Sequence, residues 1–136
     1  MIEAYSQNIN VAANAVIPLN TVSVLKGTST KPLGAGSIEL TKCGIYEVTV
    51  TCVITGETTD VLGIQLQKDG DLVPQTLAQV TVSDTNSLNT IGFSTLIQVS
   101  QNSNINCPCS IPTTINVVNV GEAATINLIR INVIRI

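Results

Sequence analysis

The chain has no histidine and no tryptophan, and only two tyrosines and one phenylalanine among its 136 residues. Without histidine, a Ser-His-Asp triad and any His-bearing zinc site are excluded. There is no GxGxxG, no P-loop and no GxSxG. No pair of carboxylates is spaced for general acid and base work. Asp69 and Asp71 flank Gly70, which a turn explains, and a hard cation such as calcium wants several oxygens. The expectation is therefore a protein that is not an enzyme, with no cofactor and no resident metal. Charge is scarce as well: charged residues make up 11% of the chain, against roughly 25% in ordinary soluble proteins. The net charge is −3, from 9 acidic and 6 basic residues. The cations Lys26, Lys31, Lys42, Lys68, Arg130 and Arg135 are scattered, which argues against nucleic acid as a partner, since phosphate binding needs clustered Lys and Arg. Apolar residues are plentiful, yet no run approaches the ~18 residues of a membrane helix. No membrane partner is expected. No secretory signal follows Met1, so synthesis in a cytoplasm is the expectation.

What the sequence does have is β-pattern. Gly44–Thr55 is a long unbroken strand signal. Side chains alternate sides along a strand, so Tyr46, Val48, Val50, Cys52 and Ile54 share one apolar face. Ile45, Glu47, Thr49, Thr51 and Val53 share the other. No Gly or Pro follows Gly44 in this run, which argues for a central strand.

The rest of the chain reads the same way. Met1–Val11 is a first strand, with Tyr5, Ile9 and Val11 on one parity. Val16–Leu19 and Thr21–Val24 form a second extended region. Pro18 denies a ladder hydrogen bond there, so this piece lies on an edge or crosses between sheets. Lys26–Gly36 reads as a loop and Ser37–Leu40 as a short strand. Leu62, Ile64 and Leu66 alternate before Asp69-Gly70, a hairpin signal because Gly tolerates positive φ. Leu72–Val82 returns less regularly. Ile91, Phe93, Ile97 and Val99 share a face of the next strand. Thr114–Val120 and Ala123–Ile136 close the chain. No amphipathic helix of useful length and no repeat appears. Roughly eight to ten strands with turns between them predict one all-β domain over residues 1–136, a jelly-roll β-sandwich of two antiparallel sheets. Its core holds Tyr46, Val48, Val50, Cys52, Ile54, Leu62, Ile64, Leu66, Ile91, Phe93 and Ile97.

The last strand adds a constraint. Ile129, Ile131 and Val133 lie on one parity, while Ile134 and Ile136 lie on the other. A sheet with one wet face alternates apolar with polar, so something is expected to cover the second face.

Four cysteines remain. Cys52 lies on the apolar face and needs no role beyond a small hydrophobe. Cys43 and Cys52 are about 30 Å apart along a straight strand, too far for a disulfide. Cys107 and Cys109 are too few for a closed tetrahedral site in one chain. Reduced structural thiols are the favoured reading. A disulfide involving the Cys107–Cys109 loop, or an intersubunit metal or disulfide cluster, stays open.

Leu40-x-x-x-Gly44-Ile45-Tyr46-x-Val48-x-Val50 is similar to the central strand of the tumour necrosis factor and complement globular-head superfamily. Leu66-Gln67-Lys68-Asp69-Gly70 resembles its hairpin, and Ile129–Ile136 resembles its closing strand. The chain also looks like bacteriophage virion proteins of this fold, of the head-fibre or decoration type. The collagen Gly-X-Y stalk of spore-surface or complement-like relatives is absent. The resemblance implies a homotrimer in which the first, central and last strands form an inner sheet around a three-fold axis. It places Ile45, Glu47, Thr49, Thr51, Arg130 and Asn132 at the trimer interface. Arg130 is expected to pair with Glu47 on the adjacent central strand, because a buried guanidinium needs a carboxylate or carbonyls; the alternative leaves Arg130 in water at the sheet rim. The implied role is a structural virion protein, assembled in the host cytoplasm and bound to other capsid proteins. A host-surface glycan-binding module is the alternative, disfavoured by the scarcity of aromatic faces on which sugars stack.

Overall fold

A computed structural model describes residues 1–100 and 112–136. The described residues are all-β apart from one turn of 3-10 helix at Pro74–Thr76. The strands are β1 (Ile2–Val11), β2 (Thr21–Leu25), β3 (Thr30–Gly34), β4 (Ser37–Leu40), β5 (Gly44–Thr55) and β6 (Val61–Lys68). They continue with β7 (Asp71–Leu72), β8 (Ala78–Thr81), β9 (Asn89–Val99), β10 (Thr113–Asn119) and β11 (Ala124–Arg135).

Two antiparallel sheets face each other. Sheet A has the order β2-β1-β11-β5-β9, and sheet B has β3-β4-β10-β6-β7 with β8 also on β6. The first, last and central strands are therefore neighbours, as expected. The core between the sheets takes one parity of each strand. Tyr46, Val48, Val50, Cys52 and Ile54 meet Leu62, Ile64 and Leu66 from sheet B, with Ile129, Ile131 and Val133 beside them, all buried. Of the expected core residues, Phe93 is half-buried and packs at its margin.

Turn chemistry sets the registers. Asp69 and Gly70 both have positive φ, 50° and 89°, the conformation of a two-residue type I′ hairpin turn. Lys68 consequently faces Asp71. Asp69 also accepts the Thr114 amide at 2.8 Å, which ties the turn to β10. Pro18 lies where the chain changes sheets. The Ile17 amide bonds the Val117 carbonyl of sheet B at 2.8 Å. Ser6 of sheet A then donates to the Pro18 carbonyl and accepts the Asn20 amide, each at 2.7 Å. A missing proline donor costs nothing at such a crossing.

Three expectations need correction. Tyr5 does not share a face with Ile9 and Val11: Asn8 takes a φ of 52°, the β1–β11 register passes from Gln7↔Leu128 to Ile9↔Ile126, and parity flips. The Lys26–Gly36 loop contains β3, an edge strand despite Pro32. Leu72–Val82 is broken into β7, the 3-10 turn and β8, because Pro74 starts a helical turn more readily than it continues a ladder.

Candidate interaction face

Sheet A has a second face, pointing away from the core. Strand alternation and the observed register decide what stands on it. β5 contributes Ile45, Glu47, Thr49 and Thr51, and β11 contributes Arg130, Asn132 and Ile134. Across the sheet, Ile134, Glu47 and Leu96 form one row. Glu3, Asn132, Thr49 and Ser94 form the next. Tyr5, Arg130, Thr51 and Gly92 form the third. All six residues expected at the interface are therefore on one face. Hydroxyls supply part of its polarity, and Thr49 Oγ1 and Ser94 Oγ lie 3.2 Å apart.

The face is mixed in character, and its exposed aliphatic side chains gather at one end. Ile45 is 44% exposed, Ile134 44% and Leu96 57%. Glu47 stands between Ile134 and Leu96, so the carboxylate sits in an apolar row. Leu96 did not emerge from the sequence reading. Its signal was there: it is the single apolar side chain on a parity otherwise made of Thr90, Gly92, Ser94 and Gln98.

The expected Glu47–Arg130 pair does not form within one chain. Arg130 lies opposite Thr51, and Glu47 lies opposite Ile134. Four residues separate the two levels, about 13 Å along the strand. Both side chains are exposed. Strand adjacency was right, and register defeats the contact.

Elsewhere the chemistry is structural. Tyr46 is buried; its hydroxyl donates to the Lys42 carbonyl at 2.7 Å, accepts the Lys42 amide at 3.2 Å and lies 3.1 Å from the Ser29 carbonyl. Burial raises its pKa, against the lowering effect of the Lys42 hydrogen bond and Arg135. Burial likewise pushes the Cys52 thiol up to about 12. Arg135 donates Nε and Nη2 to the Cys43 carbonyl at 3.0 and 2.8 Å, clamping the β4–β5 turn to the last strand. Cys107 and Cys109 lie outside the described residues. Among the described residues, no group of three or more Cys, Asp or Glu is placed to hold a metal, and no helix is long and apolar enough to cross a membrane. An open cleft of about 350 Å³ lies at one end of the sandwich, lined by Asn10, Thr55, Glu57, Asn86 and Thr125 among others. Thr125 donates to Asn10 Oδ1 there at 2.8 Å. Among the described residues, none that lines it is aromatic.

No family model matches the chain, and no curated protein does. Solved structures do. Murine APRIL has a TM-score of 0.61 at 10% identity, covering 96% of this chain and 96% of that one. Eiger TNF from S. frugiperda has a TM-score of 0.64 at 12% identity, covering 96% and 90%. Rabbit GITRL has a TM-score of 0.54 at 8% identity, covering 100% and 94%. The fold is the tumour necrosis factor-like jelly roll. At such identities the likeness speaks to fold alone.

Proposed function

We propose that this chain is a non-enzymatic structural protein that self-associates as a homotrimer through the outer face of sheet A, and that it serves as a decoration or head-fibre protein of a bacteriophage particle. The observation that carries the assembly is the row Ile134–Glu47–Leu96 with Ile45 beside it. Exposed apolar side chains clustered on one sheet face mark an interaction surface. A chain with so little charge also has little to keep its surface solvated on its own. The sequence resemblance is what supports both the three-fold arrangement and the phage particle, and the likeness of fold is consistent with the first.

Light scattering tests the assembly. A mass at micromolar concentration corresponding to three chains, or a multiple of three, is expected; a stable monomer overturns it. Ile134→Lys, which sets a charge in the apolar row, should dissociate the trimer without unfolding the sandwich. Mass spectrometry of purified particles tests the location, and absence of the chain from every particle fraction removes it. Saturable binding to a glycan array would move the reading to a carbohydrate-recognition module.

A further inference from the structure

β9 ends sheet A, and no strand among the described residues pairs with its outer edge. Hydrogen bonding shows which backbone groups point outward. The Ile45 carbonyl accepts the Ile136 amide at 2.8 Å, so the polar groups of Ile45 turn toward β11 and away from β9. Opposed residues of an antiparallel ladder alternate between bonded and non-bonded pairs. Gln98, opposite Ile45, therefore directs its own N–H and C=O away from the sheet. Lys68 Nζ confirms the direction by donating to the Gln98 carbonyl at 3.1 Å. The register runs without a shift from Gly44↔Val99 to Ile54↔Asn89, so Leu96, Ser94, Gly92 and Thr90 also point outward.

Sheet edges are usually defended by short strands, bulges, Pro or Lys. β2 is short and its register shifts against β1. β3 contains Lys31 and Pro32 and shifts against β4. β9 has 11 residues, no charge and no Pro. Lys68 covers its Gln98 end, and Gln75 of the 3-10 turn reaches the Thr95 hydroxyl from the core side at 3.5 Å. This leaves the outward backbone groups of Leu96, Ser94, Gly92 and Thr90 without a strand partner among the described residues.

We propose that a second copy of this chain adds its β9 antiparallel to this edge, about a two-fold axis through Ser94, so that two sheets A become one continuous sheet. The strand is complementary to itself in this register. Ser94 meets its own copy. Leu96 falls opposite Gly92, so an exposed side chain fills the space above a residue that has none. Gly92 is fixed as glycine by β5, because a Cβ there would collide with the Val50 carbonyl. On the core side Phe93 meets Thr95 and Ile91 meets Ile97, aromatic–β-branched and aliphatic pairs that stabilise antiparallel strands. No like charges oppose each other. An isologous contact of this kind closes on itself. It uses the rim of the sheet, where Ser94 and Leu96 are the outer-face side chains it engages, and leaves Ile45, Glu47 and Ile134 open; it does not depend on the trimer.

Light scattering with three variants tests it. The wild-type mass should correspond to an even number of chains: six if the trimer also forms, two if it does not. Ser94→Lys alone and Ser94→Glu alone should each lose the pairing, because like charges then face each other at the axis. An equimolar mixture should recover the wild-type mass with one chain of each kind at every pair, which a misfolded variant cannot do. Ile134→Lys should leave pairs intact, since it lies away from this edge. A wild-type mass of one or three chains overturns the pairing, and the three-chain result does so while leaving the proposed trimer standing. Failure of the Lys and Glu variants to rescue each other also overturns it, as does binding of foreign extended peptides at this edge with no self-pairing.

Discussion

Asn119 is fully buried, and both polar atoms of its side chain are used. Its Nδ2 reaches the carbonyls of Glu122 at 3.0 Å, Ala12 at 3.2 Å and Val11 at 3.3 Å. Its Oδ1 accepts the Gly121 amide at 3.0 Å. One side chain thus joins the end of β1 to the β10–β11 turn. Asn119→Ala should cost about 3 kcal/mol in urea denaturation, because carbonyls lose their donor away from water. Asn119→Asp should cost more, since a carboxylate would face those same oxygens. Nothing in the sequence announced this residue: a buried Asn in a strand looks like a surface one until its partners are known. Cys52 was easier to see, since it sits in step with Val48 and Val50. Its thiol is raised from an ordinary 9.0 to about 12 by burial. The unfolded chain therefore releases this proton first as pH rises, and the folded chain holds it until about pH 12. The stability Cys52 confers is fully present below pH 9.0 and is lost as pH rises toward the folded value. The urea midpoint should fall above that point, and less steeply in Cys52→Ala. Iodoacetamide at mildly alkaline pH should spare Cys52 until the chain unfolds.

At the scale of the element, the legible parts were those where one local rule acts alone. β5 has no Gly or Pro after Gly44, so its period of two passes directly into burial. Val50→Ala should cost about 2 kcal/mol through lost methyls and the cavity they leave. The Asp69-Gly70 turn was legible for a similar reason, because positive φ at both positions selects Asp and Gly. Gly70 has a φ of +89°, and Gly70→Ala should cost about 1–2 kcal/mol. Asp69→Ala should cost about 1 kcal/mol by freeing the Thr114 amide, whereas Asp69→Asn keeps the acceptor and should be nearly neutral. Chemical denaturation of the three variants checks the order. The illegible parts are those where two strands decide together. Asn8 flips the parity of β1 against a partner more than a hundred residues later. Asn127 lies at the matching irregularity, where the β11–β5 register shifts between Ile126 and Leu128. No window around Asn8 contains that information. β3 was hidden for a similar reason: its Pro and Gly residues signal a loop, yet an edge strand tolerates them because only one side must bond.

For the whole molecule, the outer face of sheet A was readable as a set of residues but not as a map. Parity sorted the faces of each strand, and the family resemblance put Ile45, Glu47, Thr49, Thr51, Arg130 and Asn132 together. Their order across the sheet needed the register, which sets Arg130 beside Tyr5 and Thr51. That distinction yields a sharp expectation for the two charges. Within one chain they stand about 13 Å apart, both exposed, where water and salt screen them. In the Ile134→Lys background, whose outer faces should no longer pack on one another, a double-mutant cycle on Glu47 and Arg130 should return a coupling below about 0.5 kcal/mol. In the assembled protein the same cycle reads something else, because any coupling must then run between copies. A two-fold packing of outer faces, with its axis midway between the two levels, would bring Glu47 of one copy to Arg130 of the other and give a coupling above 1 kcal/mol on the scale of close interfacial charge pairs. A three-fold packing with strands along the axis brings each level to its own copies, so the coupling stays small and assembly weakens wherever Glu47 must be buried charged. The cycle, measured by association rather than by unfolding, therefore separates the two symmetries: strong coupling sinks the trimer even if the face is an interface.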